Sequence, residues 1–295
     1  MRIFMTIITT LALSAAILAQ NGASVAESKA QEIINQARAS VGGKDQLKSL
    51  RSLSASGRLR RFSGQAQLES DMEVEVLFPD KIKITESSPR GARIVYLNGD
   101  QVWSDFIPPT GASVIQTSTR GAPDGASRMQ QAQREEFARL LLGWLLVPPQ
   151  SWPVKFSYVG EAKSPNGVAD VIDAHGPGES LTRLFFDKKT RLLLMLSYKG
   201  KQSPHIRMGH SLQGGRMPSA EDLQKWREEV REAMAKASEV EIRWSFADYK
   251  DINGLRLAHR ITKSEGGNVY EEFEVDRFKP NQLIKPEKFK CKEGK

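Results

Sequence analysis

At 295 residues, with 39% apolar and 26% charged side chains, the chain has the profile of a globular protein with room for one large or two ordinary domains. Its single cysteine, Cys291, excludes a disulfide framework, so burial of a core must hold the fold together. A formal net charge of +8 favours anionic surfaces, but the five tryptophans are not interleaved with arginines in the manner of a nucleic-acid binder, so no nucleic acid is expected.

Residues 1–26, MRIFMTIITTLALSAAILAQNGASVA, carry one early cation, Arg2, an apolar core from about Ile7 to Ala19 and no carboxylate. That is the pattern of a secretory signal peptide, and the apolar run falls short of the roughly 20 residues that span a bilayer. The expected product is a soluble periplasmic protein, cut after Ala26 with small Ser24 upstream; a cut after Ala19, with Ile17 upstream, fits less well. No cysteine lies near either site, so a lipid anchor on a new N-terminal cysteine is not expected. Cations group at Arg58, Arg60 and Arg61 and in the tail at Lys285, Lys288, Lys290, Lys292 and Lys295. They read either as contacts for phospholipid headgroups or as a solvated basic face with a frayed tail.

From Ser28 to Ser40 the residues Ala30, Ile33, Ile34 and Ala37 recur at helical spacing, and Gly42-Gly43 stops the pattern. A strand at RSLSASGRLR follows, and the period is then two. Met72, Val74, Val76 and Phe78 form one strand and Ile82 and Ile84 the next, with Pro79-Asp80 turning between them. Arg93 to Tyr96 and Gln101 to Phe106 make a hairpin around Asn98-Gly99. Residues 107–127 are rich in Pro, Gly, Ser and Thr and read as a loop. Arg128 to Leu146 is a predicted helix with Phe137, Leu140, Leu141, Trp144 and Leu145, ended by Pro148-Pro149.

Strands resume at Val154 to Gly160, Val168 to Ala174, Leu181 to Asp187 and Arg191 to Lys199. The continuous apolar runs Leu181 to Phe186 and Leu192 to Leu196 suggest the middle of the sheet, covered on both faces. Residues 203–238 read as an inserted loop and helix, the helix capped by Ser219. Val240 to Tyr249, Leu255 to Ser264 and Val269 to Lys279 close the chain, the first two joined at Asn253-Gly254, the strongest short hairpin signal in the sequence. The expected fold class is α+β: one curved antiparallel sheet of about ten strands with helices on one face. Residues 27–290 are expected to form one domain, with 291–295 as a tail.

The order GGKDQL, RSLSASGRLR, FPDKIKI, VYLNGDQVW, FFDKKTRLLLMLSYKG, FADYKDINGLRLAHRI and EEFEVDRFKPNQLI resembles the outer-membrane lipoprotein carriers of the LolA and LolB type, and more closely the carrier-like exported proteins with the same half-barrel. The likeness spans roughly Ala30 to Phe289. It implies an incomplete barrel whose concave apolar face, lidded by helices, holds acyl chains or an apolar segment of another protein. Read from the residues alone, the same apolar face is equally an ordinary core packed by the helices. The 203–238 insertion and the missing N-terminal cysteine depart from the carriers, and no functional residue of theirs carries over by position.

Catalytic chemistry finds little support. Gly209-His210-Ser211-Leu212-Gln213 approaches a nucleophile elbow, but Gln213 stands where a glycine is required and no apolar strand precedes it. His205 and His210 lack a third metal ligand nearby. His259 reads as either lining or surface. The expected function is therefore a non-enzymatic, monomeric periplasmic carrier or binding protein for a lipid or lipoprotein acyl chain, without cofactor or metal. Its expected lining is Val74, Val76, Ile82, Ile84, Phe156, Phe185, Leu194, Ile242, Trp244, Phe246, Leu257 and Phe273. Transient contact with a membrane surface or membrane protein accompanies that reading. An envelope-stress regulator of the same fold engaging a membrane-bound partner is the alternative, and a secreted hydrolase using His210-Ser211 a remoter one.

Overall fold

The computed structural model describes residues 7–64, 66–109, 115–117, 125–165, 167–201, 225, 228–229, 231–232 and 237–290. Apolar alternation of period two dominates the sequence, and the chain accordingly builds one antiparallel sheet. Its strands are β1 (Ser52–Ser63), β2 (Ala66–Leu77), β3 (Lys81–Ser88), β4 (Gly91–Asn98), β5 (Gln101–Ile107) and β6 (Ile115–Thr117), then β7 (Lys155–Ser164), β8 (Gly167–His175), β9 (Leu181–Asp187), β10 (Leu193–Lys201), β11 (Glu239–Ile252), β12 (Leu255–Glu265) and β13 (Asn268–Pro280). The order across the sheet is β6-β5-β4-β3-β2-β1-β13-β12-β11-β10-β9-β8-β7. Every neighbour but one follows in sequence; the exception is the seam of β1 with β13, where Leu59 faces Phe273 and Ala55 faces Phe278. The sheet is curved and does not close.

Among the described residues the strands number 13 against the expected ten or so; short β6, in a stretch whose composition signals only loop, is the one that no predicted segment covers. At the turn that carries the strongest sequence signal, Asn253 and Gly254 have φ of 50° and 83°. Both lie in the left-handed region that a two-residue hairpin loop demands, which the Asn-Gly pair adopts with least strain.

Three helices accompany the sheet: α1 (Ile7–Val41), α2 (Gly43–Ser49) and α3 (Gly125–Leu145). α1 lies along the edge strand β7 and reaches β12. It inserts Ala30, Ile33, Ile34, Ala37 and Val41 into the core and sets the Lys29 ammonium 3.8 Å from the centre of the Tyr158 ring. α3 carries the chain from one free edge of the sheet to the other, and it touches β5, β10 and β12 on the way. The core therefore sits between the inward sheet face and these two helices. On the outward side the segment after β13 folds back. A 3-10 turn, Pro286–Phe289, reaches β3 and β4, and Lys288 pairs with Glu75 at 2.5 Å.

Gly143 of α3 rests directly on Phe246 of β11, so a Cβ there would overlap the Phe246 ring. Phe246 is itself buried and has no room to retreat. Gly143→Ala is expected to cost about 1–3 kcal/mol, the range for overpacking a filled core, although alanine is the better helix former. Urea denaturation checks this; an unchanged or raised midpoint would show that α3 moves off the sheet without loss.

Two expectations need correction. β9 and β10 are not covered on both faces: Leu181 and Leu194 are exposed, while β8, which carries Asp170 and Asp173, is buried throughout from Ala169 to Ala174. Those carboxylates are neutralised, Asp173 by Arg183 at 2.7 Å and Asp170 by Arg191 at 2.5 Å. The cations at 58, 60 and 61 are not a free basic patch. Arg58 pairs with Glu274, Arg60 with Glu69, Glu272 and Glu274, and Arg61 with Glu86 and Glu271, all across neighbouring strands. The expected helix and loop of 203–238, Ser211, His205 and His210 fall almost wholly outside the described residues.

Candidate functional site

The apolar inward face of the sheet is the candidate site: α1 covers it beside β7, and α3 crosses it from one free edge to the other. Phe137, Leu140, Leu141, Trp144 and Leu145 of α3 are all buried against it. Trp144 packs edge-on to Phe278 with ring centres 5.3 Å apart and tilted to Phe273 at 6.5 Å.

Toward its N-terminal half α3 is clipped to the sheet by charge instead. Lys263 of β12 donates to Glu136 of α3 at 2.5 Å and lies 2.9 Å from Glu271 of β13, with its ammonium 4.0 Å from the centre of the Trp244 ring. Burial alone would push this ammonium down; the carboxylates of Glu136 and Glu271 outweigh it and hold it above the ordinary lysine value. Glu271 is likewise buried, yet Lys263 and Arg61 keep its carboxyl below the usual range. One turn along α3, Arg139 donates to Glu135 at 2.7 Å and to Thr182 at 3.3 Å and stacks 3.5 Å over the Tyr198 ring. Burial, with help from Glu136, raises the Tyr198 phenol. The roof is thus apolar at one end and ionic at the other.

The structure brings most of the expected lining together. Val74, Val76, Ile82, Ile242, Trp244, Phe246, Leu257 and Phe273 are buried in one cluster, and Ile84 and Phe156 pack against it half-buried. Two residues stand apart. Leu194 is 43% exposed because a bulge between Leu193 and Met195 turns it out of the alternation. Phe185 lies between buried Leu184 and Phe186, so it points to the opposite face, beside Val171 and Met195 of the neighbouring strands. His259, open to either reading, is buried: its Nδ1 is 2.8 Å from the Val275 carbonyl and its ring is edge-on to Phe278.

A cavity of about 100 Å³ opens at the mouth beside the ionic clip, floored by Met72, Ile84, Val95, Leu140, Trp244 and Phe273. Ligand pockets run from roughly 300 to 1,000 Å³, so this cavity is too small to hold a drug-sized ligand as it stands. The sequence offered one signal for the clip that went unread. Ile261 faces the core, and Lys263, two residues along the same strand, must face it too. Among the described residues no three His, Cys, Asp or Glu side chains gather to hold a metal, and no helix is long and apolar enough to cross a membrane.

No protein-family model and no curated protein matches the chain. Solved structures do. A candidate outer membrane lipoprotein-sorting protein domain from Vibrio parahaemolyticus superposes with a TM-score of 0.53 at 14% identity, over 89% of this chain and 97% of that one. A DUF1329 family protein from Desulfovibrio piger gives 0.52 at 10% identity over 88% and 97%. A LolA superfamily protein from Nitrosomonas europaea gives 0.50 at 10% identity over 89% and 97%. At these identities the likeness is one of fold, a curved antiparallel sheet that does not close, as the resemblance implies.

Proposed function

We propose that the protein is a periplasmic carrier or binding protein for a lipid or the acyl chain of a lipoprotein, and that α3 is a lid which exchanges with the guest on the inward sheet face. The observation that carries the reading is the divided roof: an apolar stripe on α3 that an acyl chain can replace, fastened by the few polar contacts of Glu136 and Arg139. The energies are commensurate. Burying the five apolar side chains of α3 is worth about 10 kcal/mol, and a chain of about sixteen carbons recovers a similar amount at roughly 0.8 kcal/mol per methylene. Exchange between the two is therefore near balance, which a carrier that must also release its cargo requires. The fold shared with a lipoprotein-sorting domain supports the same reading, with no metal, cofactor or catalytic group invoked.

The signal-peptide reading belongs with it. α1 runs unbroken through the expected cut after Ala26, and among its described side chains the first in the core is Ala30, beyond that point. The mature chain is read as one monomeric domain.

Native mass spectrometry of the purified protein, followed by titration with a fluorescent fatty acid, tests the function. Near-stoichiometric acyl-chain binding is expected, tightening severalfold in Glu136→Gln, which loosens the clip at an accessible position. Failure of both proteins to bind any acyl chain would end the carrier reading and leave the inward face as a plain core.

A further inference from the structure

A second site lies at the opposite end of the barrel, where α1, α2, the turn between β2 and β3 and the end of α3 converge. There an apolar groove of about 950 Å³ is floored by Leu47, Leu50, Phe78, Leu145, Val147 and Pro148, and it shares no lining residue with the mouth cavity under α3. Its ionisable lining residues are Arg38, Lys44, Lys48 and Arg51, all cations, with no carboxylate among them. Arg38 is already committed: its guanidinium donates twice to the Leu146 carbonyl, at 2.9 and 3.2 Å, closing the C-terminal end of α3. Lys44, Lys48 and Arg51 are exposed, and none has a carboxylate partner among the described residues.

Arginines 58, 60 and 61, by contrast, are each paired across neighbouring strands, and Lys288 pairs with Glu75. Unpaired cations around an apolar trough complement a molecule that is anionic at one end and aliphatic at the other. We infer that this groove docks the protein onto bilayers containing anionic phospholipid, one lipid laying an acyl chain on the Leu47 and Phe78 floor while Lys44, Lys48 and Arg51 meet the phosphates. The inference does not depend on the carrier reading, because the groove needs no movement of α3 and stays formed if the inward face is only a core.

Vesicle flotation tests it with the full chain. The protein is expected to float with vesicles of equal parts phosphatidylglycerol and phosphatidylcholine and to stay behind with phosphatidylcholine alone. Each basic residue at an anionic surface is worth roughly fivefold in partitioning. The triple variant Lys44→Glu, Lys48→Glu, Arg51→Glu should therefore lose at least about 100-fold, and Lys48→Glu alone several-fold. A control that reverses Arg90, Lys163 and Lys189, all exposed and outside the groove lining, should lose far less. Leu47→Gln, with every charge in place, should still weaken binding severalfold. All of these positions are exposed or half-buried, and matching circular dichroism spectra will show that the variants are folded. Absence of flotation with anionic vesicles, equal losses in the groove and control triplets, or an unaffected Leu47→Gln would overturn the inference. Acyl-chain titration of the same triple variant keeps the two sites apart: the interior should bind as in the wild type.

Discussion

Replacing Lys263 with methionine is expected to destabilise the protein by about 3–5 kcal/mol, the range for breaking a buried ion pair by removing one partner. The methionine retains most of the stem over Trp244 but leaves Glu271, with a side chain only 13% exposed, with Arg61 as its remaining cation. Glu136 is more exposed and turns to solvent at little cost. The double variant Lys263→Met, Glu271→Gln should recover a large part of the loss, because removing a buried charge together with its partner avoids the unpaired carboxylate. Denaturant unfolding of the two single variants and the double variant closes the cycle. A single-variant loss below about 1 kcal/mol would show that the clip is loose and that the apolar half of α3 holds the roof alone.

The same cluster sets the pH dependence. Glu271 is held below its ordinary value near 4.5 in the folded state, so its contribution is complete above that pH and is lost as pH falls through the lowered value. Glu75, held down by Lys83 and Lys288 against its own burial, acts in the same direction. Lys263 is raised, so its contribution is complete below its ordinary value near 10.5 and fades only at still higher pH. The wild type should therefore lose stability below about pH 4.5, with a shallower acid limb in Lys263→Met, where one of the two cations lowering Glu271 is gone. Urea midpoints measured from neutral pH downwards decide this.

Much of the architecture was legible because it rests on local rules. Strict alternation in VEIRWSFADY places Ile242, Trp244 and Phe246 inward, as found, and Asn253-Gly254 fixes its hairpin. The readings that failed are those where a local rule meets a non-local one. Leu194 obeys apolar patterning but sits at a bulge, which pairing with β9 creates and no propensity announces. Cover on both faces falls to β8 instead of β9 and β10, since Asp170 and Asp173 are buried there with Arg191 and Arg183 arriving from the β9–β10 turn and β9 itself. The basic groove draws its residues from positions 35 to 150 of the chain, so no window of sequence contains it. The arginine-rich stretch that did attract notice is neutralised by glutamates more than 200 residues away on β13.

Trp144→Ala separates the two readings of the inward face that the sequence leaves open. Trp144 is fully buried between Phe273 and Phe278, and its indole N–H has no partner among the described residues, so truncation orphans no acceptor there. The expected loss is about 3–5 kcal/mol, typical of deleting a buried aromatic ring where the surroundings cannot collapse. What the variant gains is space. The apolar void left under α3 is of the kind that stays dry and takes up apolar guests, and a guest that binds only the folded state returns stability in proportion to the logarithm of its concentration over its Kd. If α3 is a lid over an acyl site, a fatty acid should raise the unfolding midpoint of Trp144→Ala more than that of the wild type, since the chain no longer has to displace the indole. A variant destabilised as expected but indifferent to fatty acids, beside an equally indifferent wild type, would mean that the helix is simply the last layer of the core.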